Sequence, residues 1–311
     1  MKVDLVIPIF NEKGVVERTF AHLRETVDAL PHDFTFIYVN DGSRDGTEAD
    51  LASLAKSDPR VRVLTFSRNF GHQAALTAGL DASTGDAVIS LDGDGQHPPE
   101  LISKMLDLLA QGYDIVQTQR METAQPASFK KITSTLFYRG INFISGTHLT
   151  PGAADFRAMN RQAVDALKSM PEYHRFLRGM ITWMGFNAII LPYEEPKRIA
   201  GRSKYSLGKM VRLASDAVFS FSLMPLYIGL SVGLVFIVLA LAQMIYVLNL
   251  WLTNQMDKIV PGWSSLMAVL LIASGVIMIL LGFIGVYVGY IFQEVKRRPI
   301  YILKKGEKGN E

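Results

Sequence analysis

The 311-residue chain contains no cysteine. That excludes disulfides, thiolate metal sites and a cysteine nucleophile, and it fits a reducing compartment. Two glycine signatures are missing as well. There is no GxxxxGK[ST] phosphate loop, and no GxGxxG joins the first apolar run to the helix after it. ATP hydrolysis and dinucleotide redox chemistry thereby lose their main supports. Neither charge sign is in large excess: 32 Lys and Arg against 29 Asp and Glu leave +3, and no nucleic-acid partner is expected. The six histidines, His22, His32, His72, His97, His148 and His174, show no ligand spacing and read as structural. No secretory leader opens the chain. MKVDLVIPIFNE is a short apolar run that soon meets Glu12 and Lys13, so the N-terminal region is expected in the cytosol.

Charge is scarcest late in the chain. Between Leu223 and Phe292 the charged residues are Asp257 and Lys258 alone. Leu223–Leu250 and Pro261–Gln293 are uncharged, and each exceeds the roughly 20 residues that cross about 30 Å of hydrocarbon. Cations crowd both flanks: Lys197, Arg198, Arg202, Lys204, Lys209 and Arg212 before the first span, Lys296, Arg297, Arg298, Lys304, Lys305 and Lys308 after the second. The positive-inside rule places both termini in the cytoplasm of a multi-pass inner (plasma) membrane protein, with a short loop outside. Gly282, Gly285 and Gly289 give the second span a small-residue face suited to helix packing, and a homo-oligomer is expected. Leu207, Met210, Val211, Ala214, Val218 and Phe221 recur at helical spacing, which predicts an amphipathic helix on the cytoplasmic face. The expected units are a domain over 1–205, this helix over 206–222, spans at 223–250 and 263–292, a loop at 251–262 and a basic tail at 293–311.

In the first unit, short apolar runs alternate with helical patterns. Strands are expected at Val3–Ile9, Thr35–Asn40, Val61–Ser67, Ala87–Leu91 and Ile115–Thr118. Helices are expected at Lys13–Leu30, Asp45–Ser57, Gln73–Ala82 and Pro99–Gln111. This alternation predicts an α/β fold with a mainly parallel, Rossmann-like sheet, whose ligands bind beyond the carboxyl ends of the strands. Polar motifs fall at those ends: Phe10-Asn11-Glu12, Asp41-Gly42-Ser43 and Asp92-Gly93-Asp94-Gly95-Gln96. In an extended strand Asp92 and Asp94 would not share a face. A turn at Gly93 and Gly95 can aim both at one point, where Mg²⁺ or Mn²⁺ would find oxygen ligands and take the rest from phosphate and water. Asp41 opens an Asp-Gly turn, which is first a turn signal and second a carboxylate able to accept from a nucleobase N–H.

Val6-Ile7-Pro8-Ile9-Phe10-Asn11-Glu12, Val39-Asn40-Asp41-Gly42-Ser43-Arg44-Asp45-Gly46-Thr47 and Leu91-Asp92-Gly93-Asp94-Gly95-Gln96-His97-Pro98-Pro99-Glu100 together resemble the family-2 glycosyltransferases of the GT-A fold. Gly201-Arg202-Ser203-Lys204-Tyr205-Ser206 followed by two spans is similar to the polyprenyl-phosphate branch, which includes dolichol-phosphate mannose synthases and bactoprenol glucosyltransferases of the GtrB type. The resemblance implies a metal-dependent, inverting transfer of a hexose from a nucleotide-sugar to a polyprenyl (undecaprenyl) phosphate. UDP-glucose is the first donor expected and GDP-mannose the second. It implies that Pro8, Phe10 and Glu12 line the nucleoside site and Asp41 contacts the base. Asp92 lies near the ribose or diphosphate, and Asp94 and Gln96 hold the metal with it. Arg202 and Lys204 close over the diphosphate. Arg120, Lys131 and Arg157 serve the acceptor phosphate, and Asp155 is the family's base. That last role is doubtful on chemical grounds, because a phosphate monoester with a second pKa near 6 needs no base at neutral pH. His174-Arg175 falls near the acceptor face. Asn40 stands where many relatives carry Asp and is assigned no role. Rival classes are a nucleotidyltransferase, which needs no spans, a membrane-tethered nucleotide-sugar binder without turnover, and a processive synthase, whose Gln-x-x-Arg-Trp segment is absent.

Overall fold

A computed structural model describes residues 1–121, 153–194, 224–253 and 262–304. The expected amphipathic helix at 206–222, loop residues 254–261 and tail residues 305–311 lie outside the described residues.

The first half alternates strand and helix: β1 (Lys2–Ile9), α1 (Val16–Asp28), β2 (Asp33–Asn40), α2 (Thr47–Ser57), β3 (Val61–Thr65), α3 (His72–Ala82), β4 (Ala87–Ser90), α4 (Leu101–Ala110) and β5 (Ile115–Arg120). Then follow β6 (Ala153–Asn160), α5 (Arg161–Ser169), α6 (Leu177–Trp183), β7 (Ala188–Tyr193) and two long helices, α7 (Met224–Leu252) and α8 (Trp263–Val295). The strands form one sheet in the order β3-β2-β1-β4-β6-β5-β7. All pairings are parallel except those of β6, which is antiparallel to β4 and to β5. This is the mostly parallel Rossmann-like sheet of the GT-A fold.

Helices cover both faces, so the central strands are apolar on both sides. On one face Val16, Phe20, Leu23 and Val27 of α1 and Ile102, Met105 and Leu106 of α4 pack on the odd-numbered residues of β1. On the other, α3, α5 and α6 pack on Val6, Ile37 and Val88. Gly79 of α3 sits so close to β1 that a Cβ there would come within 2.2 Å of Val6 Cγ1.

Pro8 would break the ladder in the middle of a sheet. Its ring nitrogen faces the β4 side, as does Val6, whose carbonyl accepts from Leu91 N. The last β1–β4 pair is Val6 with Ser90, so Pro8 lies where β4 has ended and no hydrogen bond is lost. The same departure of β4 opens the space into which the 92–97 turn folds.

α7 and α8 contain stretches long and apolar enough to cross a membrane, Leu226–Leu252 and Val269–Val295, and most of their described apolar side chains are exposed. They meet at Gly229, where an added Cβ would lie 2.5 Å from Leu280 Cδ2. Gly282, Gly285 and Gly289 face open space. α8 ends with Arg297 in the left-handed region (φ 46°) and Pro299 beyond it. The chain then returns to the sheet. Leu303 bridges Phe66 in antiparallel fashion, Ser67 N donates to Ile302 O at 2.9 Å, and Lys304 N donates to Thr65 O at 2.8 Å. Tyr301 stacks on Phe66 at 5.2 Å between ring centroids.

Candidate active site

The loop after β1 is stitched to the loop after β2. Asn11 N donates to Ser43 Oγ, Glu12 N to Thr47 Oγ1, Lys13 N to Asp45 Oδ2 and Gly14 N to Asp50 Oδ2. Arg44 N returns a bond to Asn11 Oδ1. Asn11 adopts φ 53°, which an Asn side chain tolerates. Asn40 shapes the turn after β2, where its Oδ1 accepts from Ser43 N. Pro8 is buried and Phe10 is 37% exposed beside this double loop.

Asp41 is buried, and its carboxylate is largely committed. Phe70 N, Gly71 N and Asn69 Nδ2 all donate to it. Burial pushes its carboxyl above the ordinary range, against the pull of the Phe70 and Gly71 amides. The residue thereby fixes the loop that leads into α3.

After β4 the chain turns sharply. Gly93 is required by close approach, since a Cβ there would meet Ile9 Cδ1 at 2.0 Å. Gly95 takes φ 75°. Asp94 Oδ1 accepts from Gln96 N at 3.1 Å, an Asx turn that ties these two residues together. His97 is buried, stacked on Phe156 and edge-on to Tyr193. Its Nδ1 accepts from Asp92 N at 2.9 Å, so a single ring proton belongs on Nε2, which lies 3.7 Å from Asp92 Oδ2.

β6 brings in the other half of the site. Ser90 Oγ donates to Asp155 O, locking β6 to the end of β4. Asp155 is 7% exposed and ringed by cations. Arg178 grips both its oxygens, Nε to Oδ1 and Nη2 to Oδ2, each at 3.0 Å. Arg157 Nη2 donates to Oδ1. His72 Nε2 lies 3.2 Å from Asp155 Oδ2 and 3.6 Å from Asp92 Oδ1, bridging the two carboxylates. Burial alone would raise the Asp155 pKa, but Arg178, the His72 hydrogen bond and Arg157 outweigh it and hold the carboxyl well below the usual range. At His72 desolvation pulls down while Asp155 and Asp92 pull up, and the net direction is upward. Asp92 Oδ1 and Arg157 Nη1 are both buried without a hydrogen-bond partner. Unspent buried groups of this kind mark a place prepared for a ligand, an ion or water.

The structure thus gathers Asp92, Asp155 and Arg157 around His72, with Asp94 and Gln96 on the adjoining turn. Pro8, Phe10, Glu12 and Asp41 stand on the neighbouring strand ends. Arg120 closes β5 on the far side of β6. Lys131, Arg202 and Lys204 lie outside the described residues. Three participants do not show in the sequence. His72 and His97 read there as structural, yet both touch the carboxylates, and Arg178 carries no motif that would mark it. Histidine after a glycine that precedes a helix, as in Gly71-His72, is the one local cue among them.

A mostly parallel α/β sheet with carboxylates gathered at its strand ends and paired with a buried arginine, Arg157, has the build of a glycosyl-transferring GT-A domain. The chain matches the Glycosyl transferase family 2 profile over residues 4–168, and it belongs to that family. It is 37% identical to the uncharacterized glycosyltransferase YkcC of Bacillus subtilis, covering 98% of this chain and 94% of that one. It is 36% identical to the SfII prophage-derived bactoprenol glucosyl transferase of Shigella flexneri, covering 100% of both. Among solved structures, glucosyl-3-phosphoglycerate synthase from Mycobacterium tuberculosis, in complex with Mn²⁺ and UDP-glucose, overlaps loosely: TM-score 0.48 and 18% identity, covering 70% of this chain and 77% of that one.

Proposed function

We propose that the protein transfers a glucosyl group from UDP-glucose to a polyprenyl phosphate such as undecaprenyl phosphate, with inversion at the anomeric carbon. One observation carries this reading: the 36% likeness to a bactoprenol glucosyl transferase runs through the whole of both chains, spans included. The geometry supports it. A lipid phosphate must meet a cytosolic donor at the bilayer, and α7 and α8 can hold a sheet with acidic strand ends there. The catalytic domain and both termini are on the cytoplasmic side in this reading.

Pro8, Phe10, Glu12 and Asp41 line the nucleoside side, Asp41 acting chiefly through the 69–71 loop it holds. Asp92 Oδ1, which has His72 at 3.6 Å but no hydrogen-bond partner, and the carboxylate of Asp94 suit a hard divalent cation, which draws few ligands from protein. Mg²⁺ or Mn²⁺ held by Asp92, Asp94 and Gln96 would neutralise charge on the departing diphosphate. Arg202 and Lys204 add to that neutralisation. Arg120, Lys131 and the free Nη1 of Arg157 attract the acceptor phosphate and orient it. Its oxygen attacks the anomeric carbon from the face opposite the diphosphate. The new bond is sugar to phosphate oxygen, and the electron pair of the broken bond leaves with UDP. No proton need move, and rate comes from orientation and charge balance.

The test is incubation of purified protein in lipid vesicles with undecaprenyl phosphate, Mg²⁺ or Mn²⁺ and a panel of nucleotide-sugars. Glucosyl-phospholipid formed from UDP-glucose is expected. Product from GDP-mannose alone would change the donor, and no lipid-linked sugar from any donor would overturn the reading.

A further inference from the structure

Arg178 stands in a segment that reaches the site from the C-terminal end of α8. Two residues at the cytoplasmic end of α8 hold that segment. Tyr173 N donates to Glu294 Oε1 at 2.8 Å, and the His174 ring lies on Tyr290 with 4.4 Å between centroids. Four residues beyond His174, Arg178 delivers its two-pronged grip on Asp155. Between them Leu177 N donates to Gln73 Oε1 at 3.2 Å, which ties the first turn of α6 to the start of α3, beside His72. A continuous set of contacts therefore runs from the last turns of α8 to the buried carboxylate of Asp155.

Charge explains why a second arginine is worth placing there. Arg157 alone, 2% exposed, already neutralises Asp155. Arg178 is 28% exposed in its side chain and fixes the orientation of the carboxylate, because its planar fork meets both oxygens at once. Lysine, a point charge, would neutralise Asp155 without fixing its plane.

We propose that Arg178 is a positioning residue for Asp155, and that the cytoplasmic end of α8, through Tyr290 and Glu294, seats it, so that alignment of the transfer site depends on the membrane anchor. This rests on the glycosyltransferase reading above. It adds a residue and a structural cause to it: the site is aligned only when the helix that crosses the bilayer is in place.

The experiment compares the wild type with Arg178→Gln, Arg178→Lys, Asp155→Asn, the Arg178→Gln/Asp155→Asn pair and Glu294→Ala, all full-length in vesicles. kcat, the KM for the nucleotide-sugar and thermal stability are read for each. Misplacement by about 1 Å can cost about 10²-fold in rate, so Arg178→Gln should lose kcat on that order with donor KM changed less than about two-fold. Arg178→Lys should recover only part. Because Arg178 acts through Asp155, the double variant should be little slower than the slower single one. Glu294→Ala should lower kcat several-fold at unchanged stability. An active wild type with Arg178→Gln above half its kcat, with losses that multiply in the double variant, or with Glu294→Ala at full rate, overturns the proposal and leaves the glycosyltransferase reading intact. A wild type silent with every donor overturns both.

Discussion

The two arginines and the His72 hydrogen bond outweigh burial at Asp155 and hold its carboxyl well below the usual range. A carboxylate so stabilised is a poor proton acceptor and a good fixed counter-charge. Asp155→Asn should therefore lose activity by the same factor at pH 6 and at pH 9, where the acceptor is fully ionised. A loss that fades toward pH 9 in the rate profile would restore the role of base. The depressed pKa also stabilises the fold, fully above the ordinary carboxylate range and less only as pH falls toward the folded value, so no change is expected between pH 5 and 9 from this group. His72 has the opposite sign. Its raised pKa stabilises the fold below about pH 6.5 and that contribution is lost as pH rises through the folded value. His72→Gln should lower the melting temperature more at pH 6 than at pH 9. The ring is 42% exposed, so the difference is expected to stay under about 1 kcal/mol. Much of this level was open to reading. Asp92 and Asp94 announce themselves as a short acidic motif after an apolar strand. Arg178 and His72 do not, because they meet Asp155 across 23 and 83 residues of chain.

Strand ends, rather than strands, carry the consequences at the level of elements. The turn after β2 rests directly on the chain at 68–69: a Cβ on Gly42 would lie 2.4 Å from Arg68 C and 2.7 Å from Asn69 N, and Gly42 has φ 65°. Neither backbone can yield cheaply. Gly42→Ala should cost about 2 kcal/mol or more, read as a lower denaturation midpoint, and should disturb the 69–71 loop that Asp41 holds. The first five strands were legible from apolar runs, most plainly β1, β2 and β4, which are buried on both faces almost throughout. β6 and β7 were not. The β6 sequence AADFRAMN spends two of its positions on Asp155 and Arg157, so its pattern is interrupted by the very residues it delivers. β7 is an outer strand in the described sheet, half exposed, and lacks the continuous run of a central one. The predicted helix start at Lys13 fell three residues early, because 12–14 are occupied in the bonds that stitch two loops together.

At the scale of the whole molecule, the absence of native cysteine makes orientation directly measurable. A single cysteine at Thr253, at the end of α7, should react with an impermeant thiol reagent added outside intact cells. One at Ser57, at the end of α2, should react only after lysis. The reverse pattern would place the catalytic domain outside. The two long apolar helices were legible from their uncharged runs, which need no tertiary knowledge. What composition did not reveal is that residues after the second span belong to the catalytic sheet, where Leu303 lies against Phe66 on the β3 edge. That return has a consequence in time. Chains are made from the N-terminus, and a domain normally completes itself as it emerges. Here the segment that pairs with the chain at Thr65–Ser67, just past the end of β3, is synthesised only after both long apolar helices. In the proposed reading of these helices as an anchor, the last contacts of the domain form only after the anchor has been made. A chain that stops short of residue 302 leaves the backbone at Thr65–Ser67 without these partners, and exposed strand edges are surfaces on which chains aggregate and by which defective ones are cleared.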